Sequence, residues 1–229
     1  MEQIMKLADN VEMLEIEGRG AYYPTLLWDE QDVVLIDTGF PGELESIRGA
    51  MQKAGFAPEQ LTKVILTHQD IDHIGSARLL RDAGAQIMAY ETEAPAIQGD
   101  EPLIKVADME AHLDELPAAQ QAFYHQLKDA MPSLVVPVDV LLSDGQELAI
   151  CGGIQVIHTP GHTPGHISLL LSESNIAVCG DAANINEGKL VGANPGMTHD
   201  MTTAAQSYAK LAALDVAGYV CYHTGYLAK

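Results

Sequence analysis

Short runs of apolar residues alternate with longer amphipathic segments along most of the chain. Residues 32–37 (DVVLID) and 63–67 (KVILT) each combine β-branched residues and leucine with few polar interruptions. The segment between them, residues 41–55, has apolar positions at helical spacing and ends on a glycine. This pattern predicts strand, helix and strand in that order, which is typical of a buried sheet covered by helices.

The same pattern returns later in the chain. Further buried strands are predicted at residues 86–90, 154–158, 167–171, 176–180 and 218–222, and further helices at 75–83 and 201–214. The chain therefore divides into two halves of similar element order, residues 1–90 and 138–229, and its predicted fold class is α/β.

Residues 91–137, called the insertion below, differ from both halves. They contain five prolines, many alanines and two charged helical stretches, at 106–116 and 118–131. A segment of this length is too short to bury a core of its own. We therefore predict a single domain over residues 1–229 with a helical insertion at 91–137. The insertion is interpreted either as a lid or wall of a substrate site or as a purely structural excursion.

Four of the predicted strands lead directly into histidine or aspartate. These residues are His68, His162, Asp181 and His223. Because the ends of neighbouring strands meet at one edge of a layered α/β fold, we expect the four side chains to lie close together. Imidazole and carboxylate groups are ligands for zinc, iron and manganese.

The densest group of potential metal ligands directly follows the strand at 63–67. His68, Asp70, Asp72 and His73 fall within the six residues 68–73. We interpret this segment as a loop in which His68 and Asp70 face one ion, while Asp72 and His73 face a second. The alternative is a solvated polar turn.

Together these motifs resemble the metallo-β-lactamase superfamily of metal-dependent hydrolases, in a His-x-Asp-x-Asp-His variant. The resemblance rests on HQDIDH at 68–73, TPGHTPGH at 159–166, GD at 180–181, YHTG at 222–225 and LIDTG at 35–39. It covers nearly the whole chain outside the insertion. It implies a four-layer αββα sandwich in which helices flank two mixed β-sheets.

The resemblance also implies a dinuclear metal site and a reaction. One ion would be held by His68, Asp70 and His162, the second by Asp72, His73 and His223, with Asp181 bridging the pair. The implied activity is hydrolysis of an ester-like bond (ester, lactone or thioester) in a small molecule by a hydroxide that bridges two divalent ions. Asp72 and Asp181 are the predicted catalytic residues, and Asp72 could relay a proton to the leaving group.

Asp70 departs from the family pattern, because a second histidine most often stands at its position. The extra carboxylate makes the metal-loaded site less positive by one charge, which favours harder or higher-valent ions. Zinc is the preferred ion, but iron and manganese become alternatives unless Asp70 is a variant without effect on zinc binding. Two other functions therefore stay open: a phosphodiesterase, and an iron-dependent redox or oxygen-handling protein.

Several residues near the proposed ligands have two interpretations. Asp37, His158 and His166 either support a ligand or belong to polar turns, and His199 either faces the substrate or is an ordinary loop residue. Asp181 is followed by Ala-Ala-Asn, without the tyrosine that lactone-cleaving members of the family place there. This difference disfavours a lactonase.

The cysteines bear on both the site and the compartment. Cys179 and Cys221 each precede a proposed ligand by two residues, so strand alternation places their side chains on the ligand side. Three cysteines without paired spacing do not form a disulfide framework. With no predicted signal peptide or membrane span, we expect a cytoplasmic protein.

The charge balance limits the partners. Twelve lysines and arginines stand against 32 acidic residues, which gives a net charge of −20, while 47% of residues are apolar. This composition is globular and argues against nucleic-acid and membrane partners. Arg19, Lys105 and Lys189 are the only cations we expect near the site. We expect a small-molecule substrate, and a homodimer is left open.

Overall fold

Two mixed β-sheets form the centre of the fold in the computed structural model, which describes residues 3–18 and 20–229. Within these residues the first sheet contains β1 (Gln3–Ala8), β2 (Val11–Glu17), β3 (Ala21–Tyr22), β4 (Thr25–Trp28), β5 (Val33–Ile36), β6 (Lys63–Leu66), β7 (Gln86–Tyr90) and β8 (Val140–Leu142). The strands β5, β6, β7 and β8 run parallel, and the remaining pairs are antiparallel.

The second sheet follows β8 along the chain. It contains β9 (Glu147–Leu148), β10 (Ile154–His158), β11 (Ile167–Leu171) and β12 (Ile176–Val178). The strands β13 (Ala183–Asn186) and β14 (Lys189–Gly192) form a separate hairpin. The sheet is completed by β15 (Gly218–Cys221) and β16 (Gly225–Ala228), and its one parallel pair among the described residues joins β12 to β15.

Helices cover the outer faces of both sheets. The α-helices of the described residues are α1 (Leu44–Lys53), α2 (Ile71–Ile74), α3 (Ala77–Asp82), α4 (Ala94–Ile97), α5 (Ile104–Ala111), α6 (Ala118–Leu134) and α7 (Met201–Ala212). Asp200 begins α7, because its side chain accepts hydrogen bonds from the backbone amides of Thr202 and Thr203.

Alternation along the strands explains the layers. In β5, Val34 and Ile36 belong to the core between the two sheets, whereas Leu35 packs into the core under the helices. On the far side of the second sheet, Tyr219 packs against Leu211 of α7. A strand with both faces buried needs apolar residues at every position, as its sequence shows. The predicted αββα sandwich with two mixed sheets is confirmed.

Some sequence predictions need correction. The boundary between the two halves is wrong, because β8 lies beyond the insertion but completes the first sheet. The strands β1, β2 and β4 were not predicted. β1 is largely exposed and carries no continuous apolar run, and glutamates interrupt the apolar residues of β2. The helix predicted at 75–83 is α3, which is shorter than predicted, and the helical turn α2 that precedes it at Ile71–Ile74 was not predicted.

The insertion is helical, as predicted. It contains α4, α5 and α6, and Ile97, Val106, Tyr124 and Leu127 from these helices join the core on the outer face of the first sheet. The insertion thus shares its core with the rest of the chain. Among the helices of residues 3–18 and 20–229, none combines the length and the apolar character that a membrane span requires.

Gly75 holds the motif helix α2 close to the turn that follows β5. A Cβ atom at Gly75 would lie well inside van der Waals contact with the backbone of Gly39, Phe40 and Pro41. Backbone cannot move aside as a flexible side chain can. We predict that Gly75→Ala lowers the free energy of unfolding by about 1–3 kcal/mol, measured by urea denaturation.

Gly20→Ala is the matched control, because a Cβ atom at Gly20 meets no atom within 4 Å. Equal stability of the two variants would contradict the close approach at Gly75.

Candidate metal centre

The HQDIDH motif begins where β6 ends, at the carboxyl edge of the parallel strands β5, β6 and β7. Its first half is a loop, as predicted, but Asp72 and His73 belong to the helical turn α2, which corrects the interpretation of the whole motif as a loop. The amides of His73 and Ile74 both donate to the carbonyl of Asp70, and these bonds close the turn. Asp70 stands at the N-cap position, but its side chain makes no capping hydrogen bond and contacts other candidate ligands.

The second sheet contributes the other three predicted ligands. His162 lies in the turn between β10 and β11, and Asp181 and His223 follow β12 and β15. Because β12 and β15 are parallel neighbours, their carboxyl ends emerge side by side. The structure therefore brings all seven predicted ligands together at one edge of the two sheets.

The first ligand group comprises His68, Asp70 and His162. The Oδ2 atom of Asp70 lies 3.2 Å from Nε2 of His68 and 2.9 Å from Nε2 of His162. All three residues are buried. Their potential ligand atoms can thus converge on a single ion.

The second ligand group comprises Asp72, His73 and His223. Nε2 of His223 lies 3.3 Å from Oδ2 of Asp72, and Nε2 of His73 lies 3.9 Å from the same oxygen. Asp181 contacts both ligand groups: its Oδ2 atom lies 3.4 Å from His162 and 3.3 Å from His223, and its Oδ1 atom lies 3.4 Å from His73. Asp181 therefore lies between the two ligand groups.

Three buried polar atoms in this centre test whether a metal ion fits. Nε2 of His68, Nε2 of His73 and Oδ1 of Asp181 have no hydrogen-bond partner among the described residues. A buried polar atom without a partner is costly, and coordination to a metal satisfies it. Imidazole nitrogens and carboxylate oxygens are also suitable donors for a divalent ion. The residues fit metal binding.

The carboxylates of the centre are held ionised. Burial acts to raise the pKa of Asp70, but His68 and His162 hold it well below its usual value. Burial also acts to raise the pKa of Asp181, and His73 is the main group that holds it well below normal. Ionised carboxylates in a buried volume require nearby cations.

Neighbouring carboxylates raise the pKa values of both imidazoles in the second ligand group. Burial acts to lower the pKa of His73, but the charges of Asp37 and Asp181 hold it well above its usual value. Burial likewise acts to lower the pKa of His223, and its hydrogen bonds to Asp181 and Asp72 raise the pKa to about 9. This side of the centre therefore attracts positive charge, whether proton or metal.

Asp37 supports a ligand, which decides between its two interpretations. Its Oδ2 atom accepts a hydrogen bond from Nδ1 of His73 at 2.9 Å, and its Oδ1 atom accepts one from the Thr67 amide at 2.8 Å. The Asp37 backbone has a φ of 63°, in the left-handed region that aspartate and asparagine tolerate better than most residues. Asp37 thereby leaves Nε2 of His73 to face the centre.

The structure also decides among the interpretations of His158, His166 and His199. His166 is buried, and its Nε2 atom accepts a hydrogen bond from the Asp181 amide at 3.0 Å, so it supports a ligand. His158, at the end of β10, instead stacks on Tyr90 and contacts the carbonyl oxygen of Pro164, so it does not support a ligand. His199 lines a cavity beside the centre.

Glu93 is a structural support that the sequence analysis missed. Its buried carboxylate accepts hydrogen bonds from the amide and the side chain of Gln69, and from the hydroxyl of Thr163 and the amide of Gly165. It thus ties the loop of the first motif to the turn that carries His162. Glu93 follows β7 closely, so the strand-end rule used for the ligands could have found it.

Tyr222 was also missed, although it directly precedes His223. Its hydroxyl donates to the carbonyl oxygen of Asp72 at 2.7 Å and accepts from the amide of Gly39 at 3.1 Å. Its ring packs on His73 with the ring centres 3.9 Å apart. Tyr222 therefore holds α2 in place from the opposite sheet.

The three cations expected near the site have different outcomes. Lys105 reaches the centre, because its Nζ atom contacts Oδ2 of Asp70 and lies 3.1 Å from Nε2 of His162. Lys189 is exposed on the hairpin strand β14. Arg19 lies outside the described residues.

The expectation for the cysteines is wrong. Cys179 and Cys221 are buried in the core between the second sheet and α7, and not beside the ligands. The alternation argument fails because neither ligand continues its strand. β12 ends at Val178 and Gly180 has a φ of 54°, which turns the chain before Asp181, and β15 ends at Cys221, before His223.

The contact between Asp37 and His73 leads to a prediction about metal affinity. Asparagine keeps the shape and tolerates the left-handed backbone, but it lacks the charge that orients the His73 ring. We predict that Asp37→Asn weakens metal binding by about 10–100-fold, measured by competition with a chromogenic chelator.

Asp82→Asn is the control, because Asp82 is an exposed residue at the end of α3 that contacts Arg78 and not the centre. The same metal affinity in both variants would contradict the role of Asp37.

Two relatives illustrate the sequence similarity of the chain. The probable metallo-hydrolase YflN of Bacillus subtilis is 28% identical over 226 residues, which cover 91% of this chain and 81% of that protein. The hydroxyacylglutathione hydrolase GloC of Haemophilus influenzae is 28% identical over 160 residues, which cover 69% of this chain and 64% of that protein. The match thus spans slightly less than two thirds of GloC.

A solved structure and a family model agree with the fold and the motifs. A metallo-β-lactamase family protein from Thermus thermophilus superposes with a TM-score of 0.77 at 21% identity, over 97% of this chain and 76% of that chain. The sequence model of the metallo-β-lactamase superfamily matches residues 18–223. The family resemblance is therefore confirmed: the chain belongs to the metallo-β-lactamase superfamily and is a metallo-hydrolase.

Proposed function

We propose that this protein hydrolyses an ester-like bond of a small molecule with the help of two divalent metal ions. The observation that carries the proposal is the position of Asp181, whose carboxylate contacts imidazoles of both ligand groups at 3.3 and 3.4 Å. A carboxylate shared between two groups of ligands is suited to bridging two ions. Two ions that share a ligand can act on one water and one scissile bond.

Each part of the centre has a proposed role. The first ligand group would hold one ion, the second group the other, and Asp181 both. Bound ions would supply a water of lowered pKa and polarise the scissile carbonyl group. Asp72 borders the adjoining cavity, and its side chain keeps 16% exposure, so it can pass a proton to the leaving group. Tyr222 fixes Asp72 through its backbone carbonyl.

Two observations favour esters and thioesters over lactones. GloC is named a hydroxyacylglutathione hydrolase, and an acyl group on glutathione sulfur is a thioester. Residues 182–184 of this chain are Ala-Ala-Asn, and both alanines are buried. They offer no phenol where lactone-cleaving members of the family have one. An acyclic acyl bond is therefore the proposed target.

The charges around the centre argue against the two alternatives, a phosphodiesterase and an iron-dependent redox protein. A phosphodiester substrate calls for several cationic contacts, but Lys105 is the only lysine or arginine among the described residues that line the cavity beside the centre. An iron-dependent redox function was suggested by the extra carboxylate of Asp70. The ammonium of Lys105 contacts that carboxylate and offsets its charge, which removes the main argument for a higher-valent ion.

We accordingly propose zinc as the preferred ion. Protein purified without added metal is expected to contain about two zinc ions per chain and to lack visible absorbance, measured by plasma emission and absorption spectroscopy. Iron or manganese as the main metal, with an absorbance that dithionite bleaches, would favour the redox alternative instead.

The cysteines support the proposed cellular location. Cys151, Cys179 and Cys221 are all buried and free of disulfide bonds. Burial, with Asp29 and Asp32 nearby, raises the pKa of the Cys151 thiol to about 12, which makes it unreactive. Buried free thiols without disulfide bonds suit a reducing compartment, and we infer that the protein acts in the cytoplasm.

Removal of a proposed bridging or proton-relaying carboxylate tests the function. We predict that Asp181→Asn and Asp72→Ala each lower kcat/KM for an ester or thioester by at least about 10²-fold, because both carboxylates are proposed to hold metal and act in the reaction. Chelation should abolish turnover in the unmodified protein, and added zinc should restore it.

His125→Ala serves as the control, since His125 is exposed on α6 and makes a ring contact with Tyr124 but none with the centre. Equal losses in His125→Ala and Asp72→Ala, or turnover that survives chelation, would refute the proposal.

A further inference from the structure

A cavity of about 570 Å³ lies between the insertion and the metal centre. Residues of α5 and α6 line it from the insertion, and residues 196–199, which precede α7, line it from the second half of the chain. Asp70 and Asp72 of the metal centre also line it. Its volume is typical of sites for small molecules. A molecule bound there would therefore lie directly against the candidate ligands.

The lining is mainly apolar, with large side chains contributed by several elements. They include Phe40, Val106, Met109, Phe123, Leu127 and Met197. Phe123 and Met197, from α6 and the segment before α7, are 42% and 53% exposed. Exposed apolar side chains that share one cavity indicate an apolar ligand, whereas single ones scattered over a surface do not.

The charges in the cavity favour a ligand whose chain is uncharged. The lining carries three carboxylates, and one of them, Asp108, lies away from the metal centre on α5. Asp108 is a neighbour of His199, another lining residue, with the carboxylate oxygen 3.8 Å from Nδ1. A negative chain would meet the carboxylate of Asp108, and a positive chain would lose hydration among apolar side chains.

Lys105 supplies the polar contact beside the metal centre. Its Nζ atom contacts Asp70 and lies 3.1 Å from His162, and its side chain is 28% exposed. An ammonium has three hydrogen-bond donors, so at least one donor remains for a ligand. The preceding amide, of Ile104, donates to Oε1 of Gln69 at 2.6 Å, which attaches the start of α5 to the loop between His68 and Asp70.

We propose that the substrate is a neutral acyl ester or thioester whose apolar acyl chain occupies this cavity, with Lys105 donating a hydrogen bond to the reacting carbonyl oxygen. This inference rests on the proposed function and names its substrate class. In the reaction, the oxygen of water bonds to the carbonyl carbon, and the bond from that carbon to the leaving oxygen or sulfur breaks. The leaving group takes up a proton, and the products are a carboxylic acid and an alcohol or thiol.

Ligand binding tests the acyl site without any need for turnover. The probes are two neutral ketones that cannot be hydrolysed, 2-pentanone and 2-decanone, titrated into zinc-loaded protein and followed by NMR. We expect 2-decanone to bind at least about 30-fold more tightly, because its five additional methylene groups leave water. Equal affinities for the two ketones would overturn the acyl site.

Variants of the exposed lining residues locate the binding. We expect Phe123→Ala and Met197→Ala each to weaken 2-decanone binding by about threefold to tenfold and to leave 2-pentanone little changed. Leu141→Ala is the matched control, because Leu141 is 59% exposed on β8 and does not line the cavity. The inference fails if Leu141→Ala has the same effect as the two cavity variants.

Steady-state kinetics test Lys105. We expect Lys105→Met to lower kcat for octanoyl and acetyl esters alike by about 10²-fold, as removal of a donor to an oxyanion does. Lys105→Arg should recover part of the loss, because it keeps a cationic donor. The zinc content of each variant is measured, so that loss of metal is recognised.

The outcomes separate this inference from the proposed function. If 2-decanone binds as expected but no ester is hydrolysed, the proposed function and the role of Lys105 fail, and the apolar site stands. If esters are hydrolysed without preference for longer acyl chains and 2-decanone does not bind, the substrate class fails alone. Full kcat in zinc-loaded Lys105→Met contradicts the role of Lys105.

Discussion

The metal centre depends on holding three carboxylates together in a volume with little water. Asp70, Asp72 and Asp181 all have lowered pKa values, although burial acts to raise each of them. Their mutual repulsion is tolerated only where positive charge lies among them. His73 and Lys105 supply part of that charge from the chain, and divalent ions can supply more. The fold must therefore deliver anions, imidazoles and an ammonium to one place.

Parallel strands meet this constraint by ending at a common edge. Three consecutive parallel strands are each followed by a residue of the centre or its support: Asp37 after β5, His68 after β6 and Glu93 after β7. The second sheet adds Asp181 and His223 after its own parallel pair. Each side chain thus starts from a rigid strand, and the separations among them are set by the spacing of strands within each sheet and the packing of the two sheets. Hydrogen bonds to Glu93 then fix the motif loop and the turn that carries His162, and the hydrogen bond to Asp37 fixes the His73 ring.

The sequence predicts the strands at the centre and the ligands after them, because both signals are local. The run of apolar residues 34–36 indicates a strand that is buried on both faces, and residues 68–73 form a compact motif. The roles of Glu93 and Tyr222 were missed because their partners are far away in sequence: Glu93 joins Gln69 to the turn at 163–165, although its place shortly after β7 is a local signal. For the same reason the sequence did not predict the helical turn α2, whose position depends on contacts with the turn after β5.

Asp70 shows how a change in one element can be offset by another. Relative to histidine, Asp70 adds a negative charge to the first ligand group, and Lys105 of the insertion places an ammonium against that carboxylate. Together Asp70 and Lys105 contribute no net charge, as a neutral histidine at position 70 would. The insertion is therefore part of the electrostatics of the centre as well as a wall of its cavity. The net charge of −20 describes the rest of the surface, whereas the centre has its own balance, set by contacts between His, Asp and Lys105.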